Sequence, residues 1–190
     1  MKKRLYRFIF YRLLGWSILG EMDPNVRKSV LIVIPHTSWH DFYIGLFARG
    51  ILGIDIRYVA KQELFDSFFG WYFRWMGGSP IDRSGKLNKV DAVAKAFDNT
   101  ESFHLAIAPE GTRKKVATLK SGFYFIALKA GAAIIPVAFD YSKKEVRIGR
   151  PVFPGGDYNQ DLKIILSHFV GAVGRIPAFS FDAVAAISAI

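Results

Sequence analysis

Residues 29–41 read Ser29-Val30-Leu31-Ile32-Val33-Ile34-Pro35-His36-Thr37-Ser38-Trp39-His40-Asp41. The first half is a short continuous apolar run, the pattern of a strand buried on both faces of a sheet. Pro35 ends it, because proline brings no amide hydrogen to a ladder. A helix is expected over about residues 39–52, with Thr37 or Ser38 as N-cap. His36 and Asp41 fall at the junction. A histidine beside a carboxylate forms a general-base pair, in which the carboxylate orients the ring and stabilises its protonated form. Five residues apart on a regular helix lie roughly 140° apart around the axis. The two side chains therefore meet only if His36 precedes the helix and Asp41 sits in its first turns. His40, next to Asp41, must then point elsewhere. The competing reading makes His36 a loop histidine and Asp41 a carboxylate favoured by the helix dipole.

The same alternation of elements continues outward. Strands are expected at residues 55–60, briefly at Ile81, and at 103–108, 133–139 and 145–148, the last two as a hairpin. Helices are expected at residues 64–76, rich in aromatics, across Val90 to Phe97, from Phe123 to a stop at Gly131, and from Leu162 to Val173. This is an α/β fold with a mixed central sheet and helices on both faces. The whole of residues 1–190 is expected to form one domain, with the motif-bearing core at 29–150. Sites in such sheets gather at the carboxyl ends of strands. Three segments follow strands directly: residues 36–41, 79–83 and 109–113.

The chain begins with a basic pattern. On a helical wheel Arg4, Arg7 and Arg12 share one arc, and Leu5, Tyr6, Ile9, Phe10, Leu13 and Trp16 lie opposite. Residues 1–20 are therefore expected to hold an amphipathic interfacial helix that associates with a membrane; a first helix packed on the core is the alternative. No run reads as a spanning helix, since charges or proline interrupt both apolar ends. Arginines inside the first run also argue against a signal peptide. The expected location is the cytoplasmic face of a membrane, peripheral or monotopic.

Composition narrows the chemistry. Of 190 residues, 26 are Lys or Arg and 16 Asp or Glu, a net charge of +10. That surplus favours an anionic partner: a nucleic acid, an anionic membrane, or a phosphorylated or CoA-like substrate. Aromatic residues reach 15%, which suits an apolar or interfacial partner. Cysteine is absent, which excludes disulfides, thiolate metal sites and a cysteine nucleophile. No nucleophile elbow, phosphate loop or dinucleotide fingerprint occurs. His36, His40, His104 and His168 do not cluster at metal-ligand spacing, so no metal is expected.

Two further stretches carry polar groups at strand ends. Ala108-Pro109-Glu110-Gly111-Thr112-Arg113 combines a glycine, which permits close backbone approach, with a guanidinium suited to phosphate. Gly77-Gly78 leads to Ile81-Asp82-Arg83, where Arg83 is a candidate anion ligand. An ordinary polar turn and a solvated arginine are the competing readings.

His36-x4-Asp41, Gly78-x-x-Ile81-x-Arg83, Pro109-Glu110-Gly111-Thr112-Arg113 and Ile135-Pro136-Val137 occur in the order and spacing of the four motifs of the glycerolipid acyltransferases. The chain thus resembles the 1-acylglycerol-3-phosphate (lysophosphatidate) acyltransferase family across residues 36–137. The resemblance implies transfer of a fatty acyl group from acyl-CoA or acyl carrier protein to the free hydroxyl of a lysolipid, most simply 1-acylglycerol-3-phosphate, giving phosphatidic acid. It implies His36 as general base and Asp41 as its orienting carboxylate. It implies substrate-binding roles for Lys61, Arg83, Glu110, Gly111, Thr112 and Arg113. No cofactor is implied beyond the acyl carrier itself, and an anionic membrane surface replaces nucleic acid as the macromolecular partner. Pro35, Ala108 and Lys114 differ from the family's usual residues. A lyso-amino-acid acceptor, of the lyso-ornithine or lyso-glycine type, and a non-catalytic peripheral membrane protein remain the alternatives.

Overall fold

The computed structural model describes residues 2–61, 65–68, 70–75, 77–81, 89–98 and 100–190. Among these the strands form one seven-stranded sheet. In chain order the strands are β1 (Ser17–Leu19), β2 (Lys28–Ile34), β3 (Ile56–Lys61), β4 (Gly78–Ile81), β5 (Phe103–Ile107), β6 (Ala133–Asp140) and β7 (Glu145–Ile148). Their spatial order is β1-β7-β6-β2-β5-β3-β4. Strands β6, β2, β5, β3 and β4 run parallel. Strand β7 returns antiparallel to β6 as the expected hairpin, and β1 lies parallel to β7 at the edge. The sheet is therefore mixed.

The helices are α1 (Lys2–Arg7), α2 (His40–Leu52), α3 (Gly70–Trp75), α4 (Lys89–Ala94), α5 (Gly122–Ala130), α6 (Tyr158–Ser167) and α7 (Ala183–Ser188). Successive strand residues face opposite sides, and β2 feeds two cores accordingly. Val30, Ile32 and Ile34 pack with Phe97, Phe123, Ile126, Leu166 and Phe169 beneath α5 and α6. Leu31 packs on the other face with Phe10, Trp16, Ile44, Ala48 and Ile51, under α2 and the N-terminal segment. Helices α2 and α5 both stop at glycines in the left-handed region, Gly53 (φ +75°) and Gly131 (φ +57°), the usual helix C-terminal solution.

The N-terminal segment corrects one expectation. The regular helix ends at Arg7; Phe8–Leu13 widens into a π-helix, where the Leu14 amide reaches back to the Ile9 carbonyl. Residues 17–19 then form β1, so no helix extends to residue 20. Its apolar side chains are also divided. Phe10 and Trp16 are buried in the α2-side core, whereas Leu5, Phe8 and Leu13 are exposed beside Arg4, Arg7 and Arg12. The outer part of the segment is thus exposed while its inner part closes the core. The last long helix is shorter than expected, ending at Ser167, and α7 follows it unannounced by the sequence pattern. Of the aromatic stretch at residues 64–76, helix is described at Gly70–Trp75. No helix among the described residues is long and apolar enough to cross a membrane.

Candidate active site

The parallel run β2-β5-β3-β4 brings its carboxyl ends to one edge of the sheet. Ile32 is level with Ile107, and Lys61 with Ile81. The segments that follow β2 and β5 emerge side by side there. Residues 36–41 come from one, and residues 108–113 from the other.

His36 precedes α2 and Asp41 is the second residue of that helix, the placement their spacing demands. His36 Nδ1 lies 3.1 Å from Asp41 Oδ2. The same oxygen accepts hydrogen bonds from the Thr37 and Ser38 amides, each at 2.9 Å. Asp41 is almost fully buried, at 3% exposed. Burial alone would raise its carboxyl, but the hydrogen bonds from His36, Tyr141 and the Ser38 amide outweigh it and hold the group below its ordinary value. Against an ionised carboxylate, Nδ1 must carry the ring hydrogen. Nε2 is then the nitrogen with a free lone pair, and His36 remains partly exposed, which suits a base that must meet substrate.

Neither expected N-cap is realised: the cap position of α2 is Trp39, with no side-chain capping bond. Ser38 Oγ accepts the His40 amide at 3.3 Å and lies 3.0 Å from His40 Nδ1. His40 is turned away from Asp41 and lies against the Trp39 ring, centroids 3.9 Å apart. Thr37 does not cap α2; its Oγ1 accepts the Ile176 amide at 3.2 Å. His104 and His168 serve the scaffold, the first bonded to Ser29 Oγ at 2.8 Å and the second to the Arg147 carbonyl at 3.0 Å.

Glu110, just beyond β5, is 2% exposed and is turned inward. Its Oε2 accepts the backbone amide of His36 at 2.6 Å. Among the described residues Oε1 is buried without a partner. Burial pushes this carboxyl up to about 7, against the opposing pull of the His36 amide. Gly111 follows at φ +67°, a conformation that costs an L side chain strain. A Cβ there would also meet the Lys120 side chain. The reversal at Gly111 releases Thr112 and Arg113 to solvent. Thr112 Oγ1 accepts the Lys114 amide at 3.3 Å. Lys61 closes β3 on the same edge, and Arg83 lies outside the described residues.

A cavity of about 810 Å³ opens beside the dyad, within the roughly 300–1,000 Å³ usual for ligand pockets. His36 and Arg113 line one part of it, and Phe42, Gly45, Val137 and Phe139 carry it between α2 and the sheet. Most of its wall is apolar.

Sequence reasoning missed Tyr141, whose hydroxyl donates to Asp41 Oδ1 at 2.7 Å from 100 positions away. A tyrosine at a hairpin turn gives no sign of this. Only the closing of β6 against β2 carries it to the dyad. Gly174 was missed for a similar reason: a Cβ there would lie 2.6 Å from the Thr37 methyl.

The His36–Asp41 pair thus stands at the carboxyl edge of an α/β sheet with an apolar cavity alongside. The Acyltransferase family model matches residues 20–140, and the chain belongs to that family. The chain is 32% identical to the 1-acyl-sn-glycerol-3-phosphate acyltransferase of Streptococcus pneumoniae, over 67% of this chain and 50% of that protein. It is 27% identical to the chloroplastic enzyme LPAT1 of Arabidopsis thaliana, over 60% of this chain and 32% of that one. The chain thus spans half or less of the length of these curated relatives. Its fold is similar to the crystal structure of the 1-acyl-sn-glycerophosphate (LPA) acyltransferase PlsC from Thermotoga maritima, with a TM-score of 0.60 at 21% identity. That likeness covers 87% of this chain and 73% of the other.

Proposed function

We propose that the chain is an O-acyltransferase that moves a fatty acyl group from a thioester, acyl-CoA or acyl carrier protein, to the free hydroxyl of 1-acylglycerol-3-phosphate. The observation that carries this reading is the His36–Asp41 pair at the edge of a large, mostly apolar cavity. The family and the activities of the relatives support it.

A thioester is already activated, so the protein needs no nucleophile of its own and no cofactor. His36 Nε2 takes the proton of the acceptor hydroxyl as its oxygen attacks the thioester carbonyl carbon. Asp41 stabilises the imidazolium that forms. The tetrahedral intermediate collapses with cleavage of the carbon–sulfur bond, and the imidazolium returns the proton to the leaving thiolate. The apolar cavity takes the acyl chain. Arg113 at its margin, with Lys61 and Arg83, supplies the phosphate contacts. The exposed Leu5, Phe8 and Leu13, set among arginines, seat the protein on the cytoplasmic face of an anionic membrane, where its substrates reside.

The test is thioester consumption by the purified chain with lysophosphatidate, beside a lyso-ornithine lipid, and by His36→Ala. Turnover that depends on lysophosphatidate and on His36 is expected. Turnover with the amino-acid lipid alone replaces the acceptor, and none with either lipid overturns the reading.

A further inference from the structure

Tyr141 stands one residue past β6, in the turn to β7, and nothing in the four motifs includes it. Its hydroxyl donates to Asp41 Oδ1 at 2.7 Å. The other carboxylate oxygen, Oδ2, already faces His36 Nδ1 and the Thr37 and Ser38 amides. The two oxygens of one buried carboxylate therefore have separate tasks, and Tyr141 holds the one that does not touch the base.

Tyr141 is itself fixed from three directions. Its backbone continues β6. Its amide donates to the Val173 carbonyl at 2.7 Å. Its ring meets Trp16 edge to face, with centroids 4.8 Å apart and planes at 88°. Burial and the neighbouring Asp41 carboxylate raise the phenol well above its ordinary value, and Arg175 opposes this. The hydroxyl consequently stays a donor throughout the working pH range.

We propose that Tyr141 is a positioning residue of the dyad: its hydroxyl fixes the plane of the Asp41 carboxylate so that Oδ2 faces His36 Nδ1. This rests on the reading of His36 as the base. The physical ground is that a carboxylate offers two equivalent acceptor oxygens, and a donor held on Oδ1 keeps the two from exchanging places before the donors on Oδ2. A hydrogen bond to an ionised acceptor is among the stronger ones in a protein. Without it, a buried oxygen loses its partner, and the group responds by turning or by taking a proton. Besides Tyr141, the charged and titratable groups that face Asp41 are His36 and Glu110; Arg175 acts on Tyr141 from the C-terminal segment.

The experiment is Tyr141→Phe, which keeps the ring and its Trp16 contact. The expected result is a fall in kcat of about tenfold with both KM values within about twofold of wild type. The acid limb of the kcat–pH profile, which reports protonation of the base, moves to higher pH, because an Asp41 carboxylate that has lost the Tyr141 donor turns more of its charge on the imidazolium. Wild-type kcat with an unmoved limb overturns the proposal. So does a fall in kcat that comes with raised KM, lower melting temperature and an unmoved limb, which marks a purely structural residue. His36→Ala, measured in parallel, separates the two readings. Full activity there removes His36 as base. An inactive His36→Ala beside a wild-type Tyr141→Phe removes only the role of Tyr141.

Discussion

Glu110 holds the backbone of His36: its carboxylate oxygen accepts the His36 amide at 2.6 Å across the ends of two neighbouring strands. The contact ties the segment after β5 to the segment after β2, so the third motif positions the first from below. It also explains why a carboxylate is buried there at all. A carboxyl oxygen is a better acceptor for a shortened amide contact than water in a closed site.

This burial gives stability a pH dependence with a defined sign. Glu110 titrates near 7 in the fold against an ordinary 4.5. A raised folded value means that its contribution is fully present below about 4.5 and is lost as pH rises through about 7. His104 acts in the opposite sense, since burial lowers it and acid must charge it. Comparing wild type with Glu110→Gln isolates the glutamate, because the amide oxygen keeps the His36 contact. Wild type is expected to lose on the order of 2–3 kcal/mol between pH 5 and 8 relative to Glu110→Gln. Urea unfolding midpoints at four pH values measure it; parallel curves would count against a protonated Glu110.

His36→Ala and Asp41→Asn are each expected to reduce turnover by about 10²–10⁴-fold, the usual worth of a positioned base. His40→Ala is expected to leave turnover within a few fold, since its ring is engaged with Trp39 and Ser38. Thioester consumption reads all three. Comparable losses for His36 and His40 would mean that the wrong imidazole has been assigned.

The divided N-terminal segment separates two kinds of variant. Changing the exposed Leu5, Phe8 and Leu13 to Ser should lower binding to anionic vesicles while the protein stays folded. Changing the buried Phe10 to Ser should instead destabilise the fold by about 3–5 kcal/mol, as loss of a large core side chain does. Vesicle co-sedimentation and thermal melting distinguish them. Sedimentation of the triple variant equal to wild type would remove the membrane role of this segment.

Gly45 lines the cavity from α2, and a Cβ there has room, with Phe139 Cζ 3.6 Å away. A larger side chain can therefore fill the cavity without displacing backbone. Gly45→Leu is expected to shift donor preference toward shorter acyl thioesters, read as the ratio of kcat/KM across chain lengths. An unchanged ratio would place the acyl chain elsewhere.

The sequence by itself determined a good part of this protein. The run from Ser29 to Ile34 reads as a strand covered on both faces, ended by Pro35, and it is one. The five-residue spacing of His36 and Asp41 let the two meet only across a strand-to-helix junction, since no regular helix brings them together. These are local matters, set by side-chain periodicity and backbone chemistry. Tertiary structure decided the rest. Whether Phe10 and Trp16 faced lipid or core depended on a π-helical widening and on β1, neither of which has a periodic signature. The sequence placed Glu110 in the loop after β5, and the resemblance gave it a substrate-binding role; only the neighbouring ends of β2 and β5 turn it onto the His36 amide. Tyr141 reaches Asp41 only because β6 lies beside β2. A hydrogen bond between residues 100 positions apart is fixed by strand order and register, and those depend on how the whole sheet assembles rather than on any one stretch of chain.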